Sequence, residues 1–400
     1  MSPAPQPDPA PRLADDHAPV AQPGLATVVR EWGRIGCIGF GGPPTHIRLL
    51  RQLCVDQRGW IDAPHFEDAV ATCNLLPGPA STQLSIFCAW KLRGWRGALV
   101  GGTAFILPGL VIILAMSALF LATAPPRWVL GSAAGAGAAV AAVAVHAGTG
   151  LVPDSWHRRR SSIRWLSYLV AGGVAAATVG PWLVLVLLGC GLLELAARMD
   201  FRQGVASVSP LPLMAVSGVA ATGGLLALCW VAIKVGALSY GGGFVIVPLM
   251  QHDAVDHYHW MSAPQFLNAV ALGQITPGPV VQTVAVVGYA AAGVGGGLLA
   301  ALIAFSPSFA FVLFGARHFD QIRQNARAQA FLGGAGPAAI GAILGTAVPL
   351  VRALGETWQY AVLAGAAALL LGFRRGVVGT LLLAALTGTL IAVAGGPLPH

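Results

Sequence analysis

The tripeptide Pro77-Gly78-Pro79 recurs 200 residues later as Pro277-Gly278-Pro279, and both copies are bordered by uncharged hydrogen-bonding side chains. Asn74, Ser81, Thr82 and Gln83 flank the first; Gln274, Thr276, Gln282 and Thr283 flank the second. Upstream of each lies a glycine cluster, Phe40-Gly41-Gly42-Pro43-Pro44 in one case and Tyr240-Gly241-Gly242-Gly243 in the other. Proline lacks an amide hydrogen and glycine lacks a Cβ, so all four stretches interrupt a helix. A helix that restarts after an interruption presents free N–H groups and the positive end of its dipole, and glycine lets an anion approach that backbone. Hydroxyl and amide donors alongside suit tetrahedral oxygens. These residues support the reversible holding of an oxyanion. The competing reading is that each polar side chain satisfies its own broken helix; their grouping at matched positions favours a site.

Cations are the next candidates. Arg34 and Lys234 lie inside apolar segments at equivalent positions, a few residues before the glycine clusters. A cation there is costly and by default functional. Glu31 stands one turn before Arg34, whereas Val231 stands before Lys234, so Lys234 is expected to be the free positive charge. Snorkelling to the headgroups is the bland alternative. His46, Asp56, Glu67 and Asp256 are candidates for a proton relay. Asp56 and Asp256, with Trp60 and Trp260, read more simply as caps and anchors of a repeated interfacial turn. The run His252, Asp253, Asp256, His257 and His259 has poor spacing for a metal and reads as a polar loop. No metal, cofactor or catalytic nucleophile–base pair is expected.

Positioning these residues requires membrane helices. Hydrophobic residues make up 56% of the 400 and charged residues 10%, against about a quarter charged in soluble domains. Apolar runs near the ~20 residues of a bilayer crossing recur along the chain, and they are continuous rather than alternating, which excludes a β-barrel. The fold class expected is an all-α polytopic membrane protein. The net charge of +8 sits in short basic clusters between apolar runs, as topogenic loops do, and does not indicate nucleic acid. Six cysteines without CxxC spacing read as small apolar residues.

The chain also reads as a duplication. At an offset of 200, Asp56, Trp60, Pro64, Phe66 and Gly97 meet the same residues again, without a gap. The expected organisation is a loose tail at 1–24, a first repeat at 25–202, a connecting membrane segment at 203–222 and a second repeat at 223–400. Each repeat reads as six apolar segments, the first two broken or re-entrant. Basic loops follow segments two, four and six of the first repeat but three and five of the second. The phase reversal makes the repeats inverted, with about 13 crossings, the N-terminus inside and the C-terminus outside. Arg48, Arg51 and Arg58, after segment one, run against that pattern.

The motifs FGGPPTHI at 40–47, NLLPGPASTQ at 74–83, YGGGFVIVPL at 240–249 and ITPGPVVQT at 275–283 resemble the chromate ion transporter family over nearly the whole chain. That resemblance implies two antiparallel homologous halves and proton-motive export of chromate across a bacterial inner membrane. YGGG in the second repeat departs from the FGGP of the first, which implies unequal halves. The expected partners are chromate or a sulfate-like oxyanion, the lipid bilayer and a second copy in a homodimer. The nearest rival is a proton-coupled importer of sulfate or a similar anion. An intramembrane enzyme would need a catalytic cluster that the scattered acids do not form, and a scaffold would leave the duplicated breaks unexplained.

Overall fold

The computed structural model describes residues 22–74, 76, 78–178, 182–198, 224–239, 243–316, 321 and 324–399. The expected tail through residue 21, and all of the connecting segment at 203–222, lie outside these. The described residues form helices and no strand. The first unit runs α1 (Leu25–Ile38), α2 (Pro43–Arg51) continued by a π-helical turn (Gln52–Gln57), α3 (Ala63–Cys73), α4 (Ala80–Phe120), α5 (Arg127–His157), α6 (Ser162–Thr178) and α7 (Leu183–Arg198). The second runs α8 (Leu225–Leu238), a 3-10 turn (Phe244–Ile246), α9 (Val247–Gln251), a π-helical turn (His252–His257), α10 (Ala263–Ile275), a 3-10 turn (Val280–Gln282) and α11 (Thr283–Gly315). It closes with α12 (Ala326–Gly345), α13 (Ala347–Arg352), α14 (Thr357–Ala367) and α15 (Val377–Val393). Proline near the first helical position starts α2, α3, α9 and α10, where its missing N–H costs nothing. Ser262 and Gln265 close a capping box on α10. Asp56 and Asp256 are not caps; both are exposed on the π-helical turns.

Two long helices are folded in half. Within α4, Arg93 and Gly94 leave helical geometry, and Gly94 has a φ of 59° and a ψ of −151°. A methyl on Gly101 would stand 2.5 Å from Ala89 Cβ, although twelve residues of straight helix would separate them by about 18 Å. Residues 80–92 therefore pack antiparallel to 95–120. Gly293 makes the same turn in α11, with a φ of 63° and a ψ of −155°. Gly94 and Gly293 are 199 apart, as are Pro108 and Pro307. Gly97 lies on the Ala89 carbonyl and Gly296 on the Gly288 carbonyl, so Gly296, rather than the Gly297 of a gapless repeat, is the counterpart of Gly97. One residue is missing from the second unit between its Pro-Gly-Pro and this turn.

The shorter helices fold back too. Glu31 of α1 meets Arg58, just past the first π-helical turn, at 3.1 Å, and Arg51 of α2 meets Glu67 of α3 at 2.9 Å. Helix α1 thus runs in and α2 returns beside it; α3 runs in again and residues 80–92 return. This pairing places Arg48, Arg51, Arg58, Lys91, Arg93 and Arg96 toward one end of the bundle. It also makes the broken segments hairpins.

The units interlock. Gly102 packs on Phe309 and Gly297 on Leu114, pairs that place the second arms of α4 and α11 antiparallel at the centre. Helix α5 packs along α14 and α15 of the other unit, while α12 packs along α6 and α7. Small residues allow these approaches: Gly135 rests on the Ala384 carbonyl and Gly172 on the Ala338 carbonyl. Among the described residues, 80–120, 127–157, 280–315 and 326–352 are the helical stretches long and apolar enough to cross a bilayer.

Candidate functional site

The described helix breaks lie at the tips of the hairpins, and the structure brings tips of both units into contact. The Gly278 N–H donates to the Gly39 carbonyl at 3.0 Å, joining the second Pro-Gly-Pro to the first glycine cluster. The same carbonyl accepts from His46 Nε2 at 2.8 Å. His46 is fully buried, its ring edge-on to Phe105 at 5.0 Å, and its Nδ1 lies 3.3 Å from Ser81 Oγ. With Nε2–H on the carbonyl, the neutral ring accepts the Ser81 hydroxyl at Nδ1. One imidazole therefore ties the first break to the helix that follows the second.

The Pro-Gly-Pro tips each dock on the opposite unit. A Cβ on Gly78 would stand 2.6 Å from Gln83 Nε2, 3.4 Å from the Gly236 carbonyl of α8 and 3.5 Å from Ser308 Oγ of α11. Gly78 has a φ of +115° and Gly278 one of +100°, conformations that a side chain would strain. On the other side, Gly109 of α4 lies directly on the Pro277 carbonyl, and Gln282 Nε2 donates to the Ile106 carbonyl at 2.8 Å. Gln83 and Gln282 are counterparts at the 199 offset, each with its amide against its own Pro-Gly-Pro glycine.

The flanking polar residues divide into two groups. Thr276 donates to the Leu272 carbonyl at 2.9 Å and Thr283 to the Val280 carbonyl at 2.8 Å, so both satisfy their own helices. By contrast Thr82 Oγ1, Gln274 Nε2 and Gln282 Oε1 are buried without a partner, and so are Ser85 Oγ, Ser239 Oγ and Ser308 Oγ. Buried polar atoms are nearly always partnered by protein, water or ligand; Gln251 Oε1, on α9, is also without a partner, and the other six lie on the hairpins or on the helices packed against their tips. Asn74 is exposed at the end of α3. Gly41 and Gly42 turn the first break with positive φ, and Pro79 starts α4. Pro77, Gly241 and Gly242 lie outside the described residues. Ser239, Ser308, Gly109 and Gly236 were not singled out from the sequence. A serine beside Pro307, the repeat partner of Pro108, was the available signal for Ser308.

The cations are elsewhere. Lys234 is not free: its Nζ lies 2.6 Å from Asp253 Oδ2, and the Asp253 side chain is only 8% exposed. The partner sits on the π-helical turn that folds back along α8, 19 residues downstream and beyond the reach of helical spacing. Arg34 is 66% exposed and 3.8 Å from Glu31, so neither cation enters the tip junction. Of the relay candidates only His46 stands there. Asp56 and Asp256 are exposed, and Glu67 is exposed beside Arg51.

The comparisons with known proteins agree with one another. The sequence model of the chromate transporter family matches residues 26–195 and 226–391, one match per unit. The chromate transport protein of Cupriavidus metallidurans is 32% identical over 82% of this chain and 83% of its own length. The probable chromate transport protein of Synechococcus elongatus is 28% identical over 82% and 85%, and the chromate transport protein of Pseudomonas aeruginosa 28% over 81% and 80%. No solved structure matches. The family is one of transporters rather than enzymes, and the long apolar helices fit it. This duplicated, helical membrane protein belongs to the chromate transporter family.

Proposed function

We propose that the chain exports chromate from the cytoplasm across a bacterial inner membrane, holding the anion where the hairpin tips of two inverted repeats meet. The observation that carries this reading is the set of unpartnered donors at the tips, Thr82, Gln274, Ser239 and Ser308, beside the Gly39–Gly278 bond between units. A tetrahedral dianion needs several convergent donors, and a site without a fixed cation binds it weakly enough to release it. The fold-back geometry supports four full crossings per repeat, and the reversed phase of the basic loops supports repeats of opposite orientation. On this reading Arg93, Arg158 and Arg374 face the cytoplasm.

The driving force follows from charge. Each elementary charge crossing 100 mV gains about 2.3 kcal/mol, so a dianion leaving a negative interior gains about 4.6. At about 1.4 kcal/mol per tenfold this sustains a gradient of about three orders of magnitude. The membrane potential therefore suffices without ATP or a coupled proton. In inside-out vesicles, uptake of labelled chromate is expected to survive loss of the pH gradient and to stop when the potential collapses; the reverse pattern overturns potential-driven export. The buried His46 favours one second reading, a proton-coupled transporter of sulfate or a related oxyanion. Sulfate competing with chromate as an equal, in transport that needs the pH gradient, would select it.

A further inference from the structure

A cavity of about 590 Å³ opens at the turn in α4, lined by Gln22, Leu25, Trp90, Lys91, Arg93 and Arg96, among others. Its volume lies in the range of small-ligand sites. The side chains of Lys91, Arg93 and Arg96 are exposed, and among the described residues none of the three has an acidic partner. Trp90 is half-buried in the cavity wall, while Trp95, on the rim, is 60% exposed, with the Arg96 guanidinium 5.4 Å above its ring. Three cations without an acidic partner among the described residues, framed by tryptophan, are what the interfacial layer of a bilayer selects. The second unit has nothing similar: Tyr289, Ala290, Ala291, Ala292, Gly293, Val294 and Gly295 occupy the equivalent turn. The charge is therefore not a requirement of the turn, which Gly293 makes without it.

We propose that this cavity binds the phosphate headgroup of an anionic phospholipid. The site lies about 18 Å from the tip junction along the first arm of α4, and that arm is buried over Ser81–Ile86, so the cavity does not open toward the tips. On the topology proposed above, on which this step rests, it sits where the chain turns at the membrane surface, on the face that carries the other basic loops. Basic clusters at that surface attract anionic lipid by roughly fivefold per cation, and the attraction weakens with salt.

The test uses the purified full chain in detergent, titrated with phosphatidylglycerol or phosphatidylcholine, with retained lipid counted by native mass spectrometry. Phosphatidylglycerol is expected to be retained at about 100-fold lower concentration by the wild type than by K91Q/R93Q/R96Q, three steps of about fivefold. Because removing three charges can disturb insertion, Arg93→Gln alone is measured beside it, with about a fivefold loss expected. Equal retention of the two lipids, or no loss in either variant, overturns the proposal. Millimolar phosphate or chromate arms separate the sources: a bound lipid headgroup resists displacement, whereas displacement by either anion assigns the cavity to a soluble oxyanion and rejects lipid. None of these readings depends on transport.

Discussion

Helices α3 and α10 hold equivalent positions in the two units and live in different surroundings. Phe266–Gln274 of α10 is buried throughout, because α5 packs along it and Gly137 of α5 abuts Asn268. Helix α3 exposes His65, Glu67, Ala71 and Asn74, and among the described elements α12 does not cover it as α5 covers α10. The ion pairs differ as well. The first unit places the acid on α1 (Glu31) and the base on the returning arm of the hairpin (Arg58), while the second places the base on α8 (Lys234) and the acid on the return (Asp253). Each unit fastens its first hairpin by one ion pair, with the polarity reversed. Inverted repeats with identical packing would open to both sides or to neither. Unequal cover leaves α3 exposed and α10 closed, and on the function proposed above this is the asymmetry that a transporter alternating between two faces requires.

The largest effect that can break this comparison lies in the ion pairs. Lys234→Met leaves Asp253 buried and unpaired, a loss of about 3–5 kcal/mol, which lowers the melting temperature and the yield of folded protein. Arg34→Met removes an exposed charge worth less than about 1 kcal/mol and changes little. The double variant Lys234→Met/Asp253→Leu is expected to recover most of the stability lost in the single variant. A single variant as stable as the wild type would mean that the pair does not fasten the hairpin. A stable double variant that still fails to transport would return Lys234 to the anion's path.

Cover itself can be measured at Ala71 and Ala271, equivalent alanines on α3 and α10, the first exposed and the second fully buried. In a background without the native cysteines, Ala71→Cys is expected to react with a membrane-impermeant maleimide about 100-fold faster than Ala271→Cys, which must wait for a local opening of about 3 kcal/mol. Equal rates would remove the asymmetry. Exchange of the two rates on adding chromate would show it to be the moving part.

Much of this was legible in residues that act locally. The interruptions at residues 39–42 and 276–279 follow from proline and glycine chemistry, which needs no knowledge of the rest of the fold. What was not legible depends on chain folding back on itself. Lys234 read as free because Asp253 is brought to it by a hairpin that folds back along α8. The offset of 199 escaped notice because the strongest matches end at the Pro-Gly-Pro, before the missing residue. Exchange of α5 and α12 between units leaves no local trace, since an alanine- and glycine-rich helix packs on whichever neighbour the topology supplies. The serines at 239 and 308 are single polar atoms in apolar runs, and only their burial without partners distinguishes them.

The smallest effect concerns a residue with no counterpart, because Ile246 stands where the first unit has His46. If the imidazole serves to hold the Gly39 carbonyl in place for Gly278, its hydrogen-bonding shape matters and its charge does not. His46→Ala loses both buried hydrogen bonds of the imidazole; the one to the Gly39 carbonyl, worth about 1–1.5 kcal/mol, is the one that bears on the tip junction, and its loss is expected to slow chromate uptake about tenfold. His46→Gln offers an amide N–H toward Gly39 and an oxygen toward Ser81, and is expected to restore about half of that loss on a logarithmic scale. Neither should alter the dependence of uptake on the pH gradient. A glutamine variant as slow as alanine, with transport that no longer responds to the pH gradient, would make His46 a proton carrier. The first unit would then carry protons while the second carries only the anion's hydrogen bonds, a sharper inequality between the halves than their packing alone describes.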